Sequence, residues 1–308
     1  MNTQIPDQVR LLALIHRTGT LAGAAEILGV TPAAATQRLA KAERDWGTTL
    51  VVRGPRGAVL TPAGMVLVPH GESIDREAHA AADTFESFLG TASRRLRIGT
   101  FQAAALHLLP PALTALRHRH PDIDLSVVDV QSGRAVRAVA SGDLDLAVLA
   151  SWDSPPAADP RVATHHLFRD PLVVVLPDDH RLAGPTHRPL RLRQLRDETW
   201  VLIHAGHAAR QQFDHAAADA GFTPTVRFET ESYDVAQALV GTGIGVALVS
   251  RLALTHAQGT THRPLTHPAL HRDIHAAAPR DTSATPLADT FIALLDDISD
   301  EIRANWAI

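Results

Sequence analysis

The chain has 308 residues, 45% of them hydrophobic, enough for two or three packed units. It contains no cysteine, which excludes disulfides, thiolate metal sites and cysteine nucleophiles. Its formal net charge of −4 argues against a nucleic-acid partner until the distribution is considered: residues 1–60 hold seven Lys and Arg against four acids, a local +3, and the rest carries −7.

No segment approaches the roughly 18 apolar residues of a membrane span, and the short apolar patch at 11–15 has no cleavage site behind it, so a cytoplasmic protein with no membrane partner is expected. Residues 6–17 form an amphipathic helix whose Val9, Leu12, Ala13 and Leu14 close a small core. Next, Leu21, Ala24, Ala25 and Leu28 share one face of a short helix that stops at Gly29, the residue most tolerant of a positive φ. A new helix starts at once, with Thr31 as N-cap and Pro32 at the first position, and runs to Trp46.

On that helix Ala35, Leu39, Ala42 and Trp46 face inward, while Ala33, Thr36, Gln37, Ala40, Lys41 and Arg44 face outward. The outward side suits a major groove: a glutamine that can pair with adenine, small groups that fit thymine methyls, and cations for phosphate. Two short apolar runs joined by a Gly/Pro turn follow, carrying Arg53 and Arg56 and ending at Leu60. They make a wing, with Arg53, Arg56 and Thr61 toward phosphate.

The order of these elements resembles the LysR-type transcriptional regulators. The residues that carry the resemblance are Ala24-Ala25, Thr31, Ala34, Thr36, Glu43, Leu50-Val51-Val52-Arg53 and Leu60-Thr61-Pro62-Ala63-Gly64. Pro32 stands where the family usually has glutamine, and Ala35 where it usually has valine or leucine, so the DNA site read here can differ from the family's commonest one.

Residues 62–89 read as one long helix with a seven-residue repeat, Leu67, Ile74, Ala81 and Phe88 in one register and Gly71, Ala78 and Phe85 in the other. The repeat points to a dimer seam, with a long helix lying on its own chain as the alternative, and a kink is expected at Pro69. The resemblance implies a linker helix pairing two subunits, as a homodimer or a tetramer, with RNA polymerase a possible further partner.

From residue 94 apolar runs alternate with amphipathic helices, which implies mostly parallel sheets covered by helices. Strands are expected at 96–99, 123–130 and 144–149, with helices at 106–119 and 132–141. A second series has strands at 172–176, 200–203, 226–229 and 244–249, with helices at 208–220 and 233–240. Segments 260–265 and 273–278 and a helix at 287–303 return the chain to the first lobe. The motifs RRLRIGT, LLPPAL, SGDLDLAV, LVVVLPDDHRLA and VGTGIGVALV also resemble the family's effector domain, implying a two-lobed fold of the periplasmic-binding-protein kind, type 2.

The expected organisation is therefore an α/β chain with a winged helix-turn-helix at 1–60 and a linker helix at 61–90. The effector domain spans 94–308, with lobe one at about 94–162 and 267–308 and lobe two at about 163–266. A cleft at the carboxyl ends of the strands is where such sheets bind ligands. Its expected lining is Thr100, Phe101, Gln102, Ser151, Trp152, His204, Gly206, Glu231, Ser232 and Ile244. Effectors in the family commonly place a carboxylate after the first strand, near Thr100 to Gln102.

The eighteen histidines lack fixed carboxylate or helical metal-ligand spacing, so no metal is expected. No nucleophile elbow, phosphate loop or dinucleotide fingerprint is present, and no cofactor or catalysis is expected; GTGIG at 241–245 precedes a strand instead of opening a helix. The expected function is a DNA-binding regulator modulated by a small molecule. An effector-independent regulator with a vestigial cleft and a solute-binding protein are the alternatives.

Overall fold

The computed structural model describes residues 5–54, 57–88, 95–156, 158–185, 188–280 and 286–306. The chain divides into two compact units near residue 92. Unit one contains helices α1 (Ile5–Thr18), α2 (Leu21–Ile27) and α3 (Pro32–Trp46), strands β1 (Val51–Gly54) and β2 (Gly57–Leu60), and helix α4 (Pro62–Phe88). Its core is built by Leu11, Leu12, Leu14 and Ile15 of α1, Ala24 and Ala25 of α2, and Ala35, Leu39 and Ala42 of α3, closed by Leu50 and Leu60.

Local chemistry fixes each junction. Thr20 caps α2, Gly29 turns the chain with φ +63°, and the Thr31 hydroxyl accepts from the Ala34 N–H at 3.2 Å to start α3. Glu43 Oε1 accepts from the N–H groups of Leu50 and Val51 at 2.9 and 3.2 Å, tying the end of α3 to the start of the wing. β1 and β2 pair antiparallel, with Val51 opposite Leu60 and Arg53 opposite Ala58.

One inward assignment and one seam assignment change. Trp46 lies at the end of α3, beyond the reach of α2, so it is 39% exposed; its indole N–H donates to Gln8 Oε1 at 3.0 Å. The first half of α4 is used within its own unit. Val68 is buried, Asp75 pairs with Arg10, and Gly71 lies so close to α1 that a Cβ there would meet the Val9 carbonyl oxygen at 2.2 Å. Gly71 is therefore a packing residue and not a seam position. Phe85 remains exposed, at 62%, and α4 is a single helix through Pro69.

Unit two contains β3 (Arg95–Thr100), α5 (Gln102–His107), α6 (Leu109–Arg119), β4 (Asp124–Asp129), α7 (Ser132–Ser141), β5 (Leu146–Ser151) and the long β6 (Val162–Pro177). β7 (Leu190–Arg191), β8 (Thr199–Ile203), α8 (Ala208–Asp219), β9 (Thr225–Thr230), α9 (Tyr233–Val240), β10 (Val246–Ser250), β11 (Thr260–Thr266), β12 (His271–Pro279) and α10 (Pro286–Trp306) complete it. The helix expected at 106–119 is broken at Leu108, because Pro110 and Pro111 cannot donate backward along a continuous helix; they are accepted in the first turn of α6.

The first lobe has strand order β4-β3-β5-β12-β6 and the second β7-β11-β6-β10-β8-β9. β6 belongs to both: residues 162–171 pair with β12, whereas 172–177 pair with β10 and β11. It is longer than the expected 172–176 because polar residues such as His165, His166 and Arg169 interrupt its apolar pattern. Among the described residues β11 pairs only with β6 and β7, so it stays in the second lobe, and the chain returns to the first with β12. β3, β4 and β5 run parallel, as do β8, β9 and β10, and all their carboxyl ends open on one region.

Candidate functional site

Unit one presents α3. Its buried face, Ala35, Leu39 and Ala42, leaves Thr31, Pro32, Ala33, Gln37 and Arg44 on the accessible side, with Thr36 and Lys41 beside them. Lys41 Nζ is held by Asp45 Oδ2 at 2.8 Å, one turn on. This pair fixes the cation in place, and an exposed pair of this kind contributes little to stability. Arg53 occupies its wing strand, but its side chain and all of Arg56 lie outside the described residues.

Thr61 differs from expectation. Its hydroxyl donates to the Thr49 carbonyl at 2.9 Å and accepts from the Gly64 N–H at 3.1 Å, so it caps α4 and secures the wing instead of reaching toward phosphate. Gly64 is equally structural: a Cβ there would meet the Leu50 carbonyl oxygen at 2.3 Å.

Unit two encloses a cavity of about 710 Å³ at the strand carboxyl ends. Of the ten residues expected to line it, Phe101, Gln102, Trp152, His204, Gly206, Glu231 and Ser232 do so, each directly after β3, β5, β8 or β9 or within the next few residues. Three do not. Thr100 is still within β3 and only 1% exposed, and Ser151 is 7% exposed, its Oγ 2.9 Å from His275 Nε2 on the far side of the strand from Trp152. Ile244 precedes β10, and its carbonyl accepts from the hydroxyl of Thr199 at the start of β8, so it sits at the amino ends of the strands.

Sequence reasoning missed the cavity's most constrained group, Arg272. On β12 directly opposite Asp170 of β6, it donates from Nε to Asp170 Oδ2 at 2.8 Å and from its terminal nitrogen to Ser250 Oγ at 2.7 Å. Asp170 is fully buried and also accepts from the Leu252 N–H at 2.9 Å. The guanidinium carbon lies 4.8 Å from the Phe101 ring centroid and 5.8 Å from that of Trp152. No clear signal marks them in the sequence, because Arg272 and Asp170 stand among other polar residues, His271, Asp273 and His275 on β12 and His165, His166 and Arg169 on β6.

His207, the last residue of the stretch 204–207 that follows β8 and that the sequence already placed near the cleft, also lines the cavity, with its ring 6.4 Å from Trp152. Its Nδ1 accepts from the Ala209 N–H at 3.3 Å and caps α8. Part of the ring reaches solvent, but desolvation by the cavity wall and then the Arg272 charge lower its pKa, with Glu231 opposing. Burial raises the Tyr233 hydroxyl to about 12. Both side chains are therefore neutral near pH 7. Gln102 donates toward Ser232 Oγ and Asp234 Oδ2, each at 3.4 Å, linking the loop after β3 to the start of α9.

A helix-turn-helix unit with an exposed polar recognition face, followed by a two-lobed domain around a cavity, defines a regulator of the DNA-binding, ligand-sensing class. Residues 6–65 match the bacterial regulatory helix-turn-helix protein, lysR family, and residues 89–299 match the LysR substrate binding domain. The chain belongs to the LysR family of transcriptional regulators.

It is 26% identical over 260 residues to the transcriptional dual regulator GltC of Bacillus subtilis, covering 84% of this chain and 85% of that one. It is 30% identical over 251 residues to a probable hydrogen peroxide-inducible genes activator of Mycobacterium avium, covering 80% and 78%. Among solved structures, a full-length OxyR variant from Pseudomonas aeruginosa matches with a TM-score of 0.62 at 21% identity, covering 97% of this chain and 95% of that one. At that identity the match speaks to fold alone.

Proposed function

We propose that this regulator reads promoter DNA through Gln37 and Thr36 of α3, with Lys41, Arg44, Arg53 and Arg56 toward phosphate, and that a small molecule in the unit-two cavity modulates the outcome. The observation that carries the reading is the cavity itself: both lobes contribute walls, and Arg272 is held against it by β12 of the first lobe and by β6, the strand that runs through both. A ligand touching both lobes changes the balance between their arrangements only by its differential affinity for them.

Binding without turnover fits the cavity: among the described residues no hydroxyl of its lining is paired with one of its three imidazoles, His107, His204 and His207, and the last is engaged as a helix cap. The chain contains no cysteine, so oxidation of a thiol is not its input, whatever signal its relatives answer. Among the described residues no helix is long and apolar enough to cross a membrane. We place the protein in the cytoplasm with its DNA, as a homodimer or tetramer joined through the second half of α4, where Phe85 is exposed.

The test is a footprint on the DNA upstream of its own gene, with and without a metabolite extract. The reading predicts that extract changes the protected length for wild type, while Trp152→Ala still binds but no longer responds. An identical extract response in Trp152→Ala would refute the cavity as the input.

A further inference from the structure

The charge of the cavity wall is opposite to what a carboxylate ligand needs. Among the described residues its only arginine or lysine is Arg272, whose guanidinium is committed to Asp170 and Ser250. Against this neutral pair stand three further carboxylates on the wall, Asp129 at the end of β4, Glu231 after β9 and Asp234 in the first turn of α9. Among the described residues no hydrogen bond or ion pair engages the Asp129 or Glu231 side chain, and both residues are exposed toward the cavity. His207 is held neutral and supplies no counter-charge.

Helix starts partly offset this. The start of α5, which has no side-chain cap, and the start of α7, with Gln131 and Ser132 at the wall, are the places open to an anion, but each helix end is worth only about half a charge. α8 is capped by His207 and α9 by Ser232, and Asp234 cancels much of the α9 dipole. Full negative charges therefore dominate. Phe101 and Trp152 add apolar walls sized for a flat or aromatic body.

We propose that the cavity takes a cationic small molecule, a protonated amine or amidine on an apolar body, with its charge between Asp129 of the first lobe and Glu231 of the second. This rests on the reading of the cavity as the regulator's input. A cation that bridges a carboxylate on each lobe favours the arrangement that brings the lobes together, which gives it the differential affinity that modulation requires.

The experiment uses the full-length protein and matched pairs of probes, phenethylamine against phenylacetate and tryptamine against indole-3-acetate, followed by calorimetric titration and thermal melting. The amines are expected to bind and raise the melting temperature, and the carboxylates to do neither. Asp129→Asn and Glu231→Gln, both at exposed positions, should melt like wild type without ligand and weaken amine binding roughly 10- to 100-fold, the range for losing one charge-assisted hydrogen bond. Binding of the carboxylates alone would overturn the ligand class and leave the cavity reading standing. Binding of neither series would overturn both, and amine binding unchanged in both variants would overturn the placement of the charge.

Discussion

Asp170→Ala isolates the contact that ties β12 to β6 where β6 passes from the first lobe to the second. The substitution leaves the Arg272 guanidinium, itself only 4% exposed, without its counter-ion, and strips the Leu252 N–H of its acceptor. Breaking one partner of a buried pair costs about 3–5 kcal/mol, because the remaining charge is uncompensated. For a domain of this size each kcal/mol moves the melting temperature by roughly 2–4 °C, so a drop of roughly 6–20 °C is expected for unit two in a thermal melt followed by near-ultraviolet circular dichroism. The double variant Asp170→Leu/Arg272→Met removes both charges and should recover most of that loss, since well-packed apolar replacements of buried pairs are often neutral. A single variant that melts like wild type, or a double variant no better than the single, would refute the view that the pair acts as one buried electrostatic unit.

Gln37→Ala should reduce the preference for cognate over scrambled DNA by roughly 1–3 kcal/mol, whereas Arg44→Ala should weaken both duplexes equally and flatten the salt dependence; equal losses for Gln37→Ala on both duplexes would sink the base contact. Gly71→Ala forces a Cβ against the Val9 carbonyl and the Ala13 side chain, and urea unfolding should show unit one weakened by roughly 1–3 kcal/mol. The histidines His207, His262 and His275 all have pKa values lowered from 6.5, chiefly by desolvation. The unfolded chain therefore binds more protons than the folded one just below pH 6.5, so their contribution is present above that value and lost as pH falls through their folded values. Melting temperatures from about pH 7.5 down to about pH 5 should fall, and a His207→Asn/His275→Asn variant should fall less; an equal fall would place the effect elsewhere.

Unit one was legible in the sequence almost residue by residue, because its junctions are local: Thr31 before Pro32, Gly29 in a left-handed turn, and the spacing of Ala35, Leu39 and Ala42 are all short-range signals. Trp46 and Gly71 escape the pattern because periodicity states which face a residue occupies but not which neighbour reaches it. In unit two, strand ends predicted seven cavity residues well, since each follows a parallel strand. Thr100 and Ser151 fail on a one-residue alternation, and Ile244 on which end of β10 faces the cavity. Arg272 and its partner Asp170 lie 102 residues apart, a pairing no local pattern records. Glu231 was expected in the lining, but Asp129 was not, because it ends β4, a strand far from β9 in sequence.

The most direct test of the account is fluorescence anisotropy of the full-length protein on the duplex upstream of its own gene, against a scrambled duplex, over a salt series with and without tryptamine. The account predicts tight, salt-sensitive binding that prefers the native duplex and shifts when the amine is added. Absence of binding to either duplex at low salt would contradict it at its root.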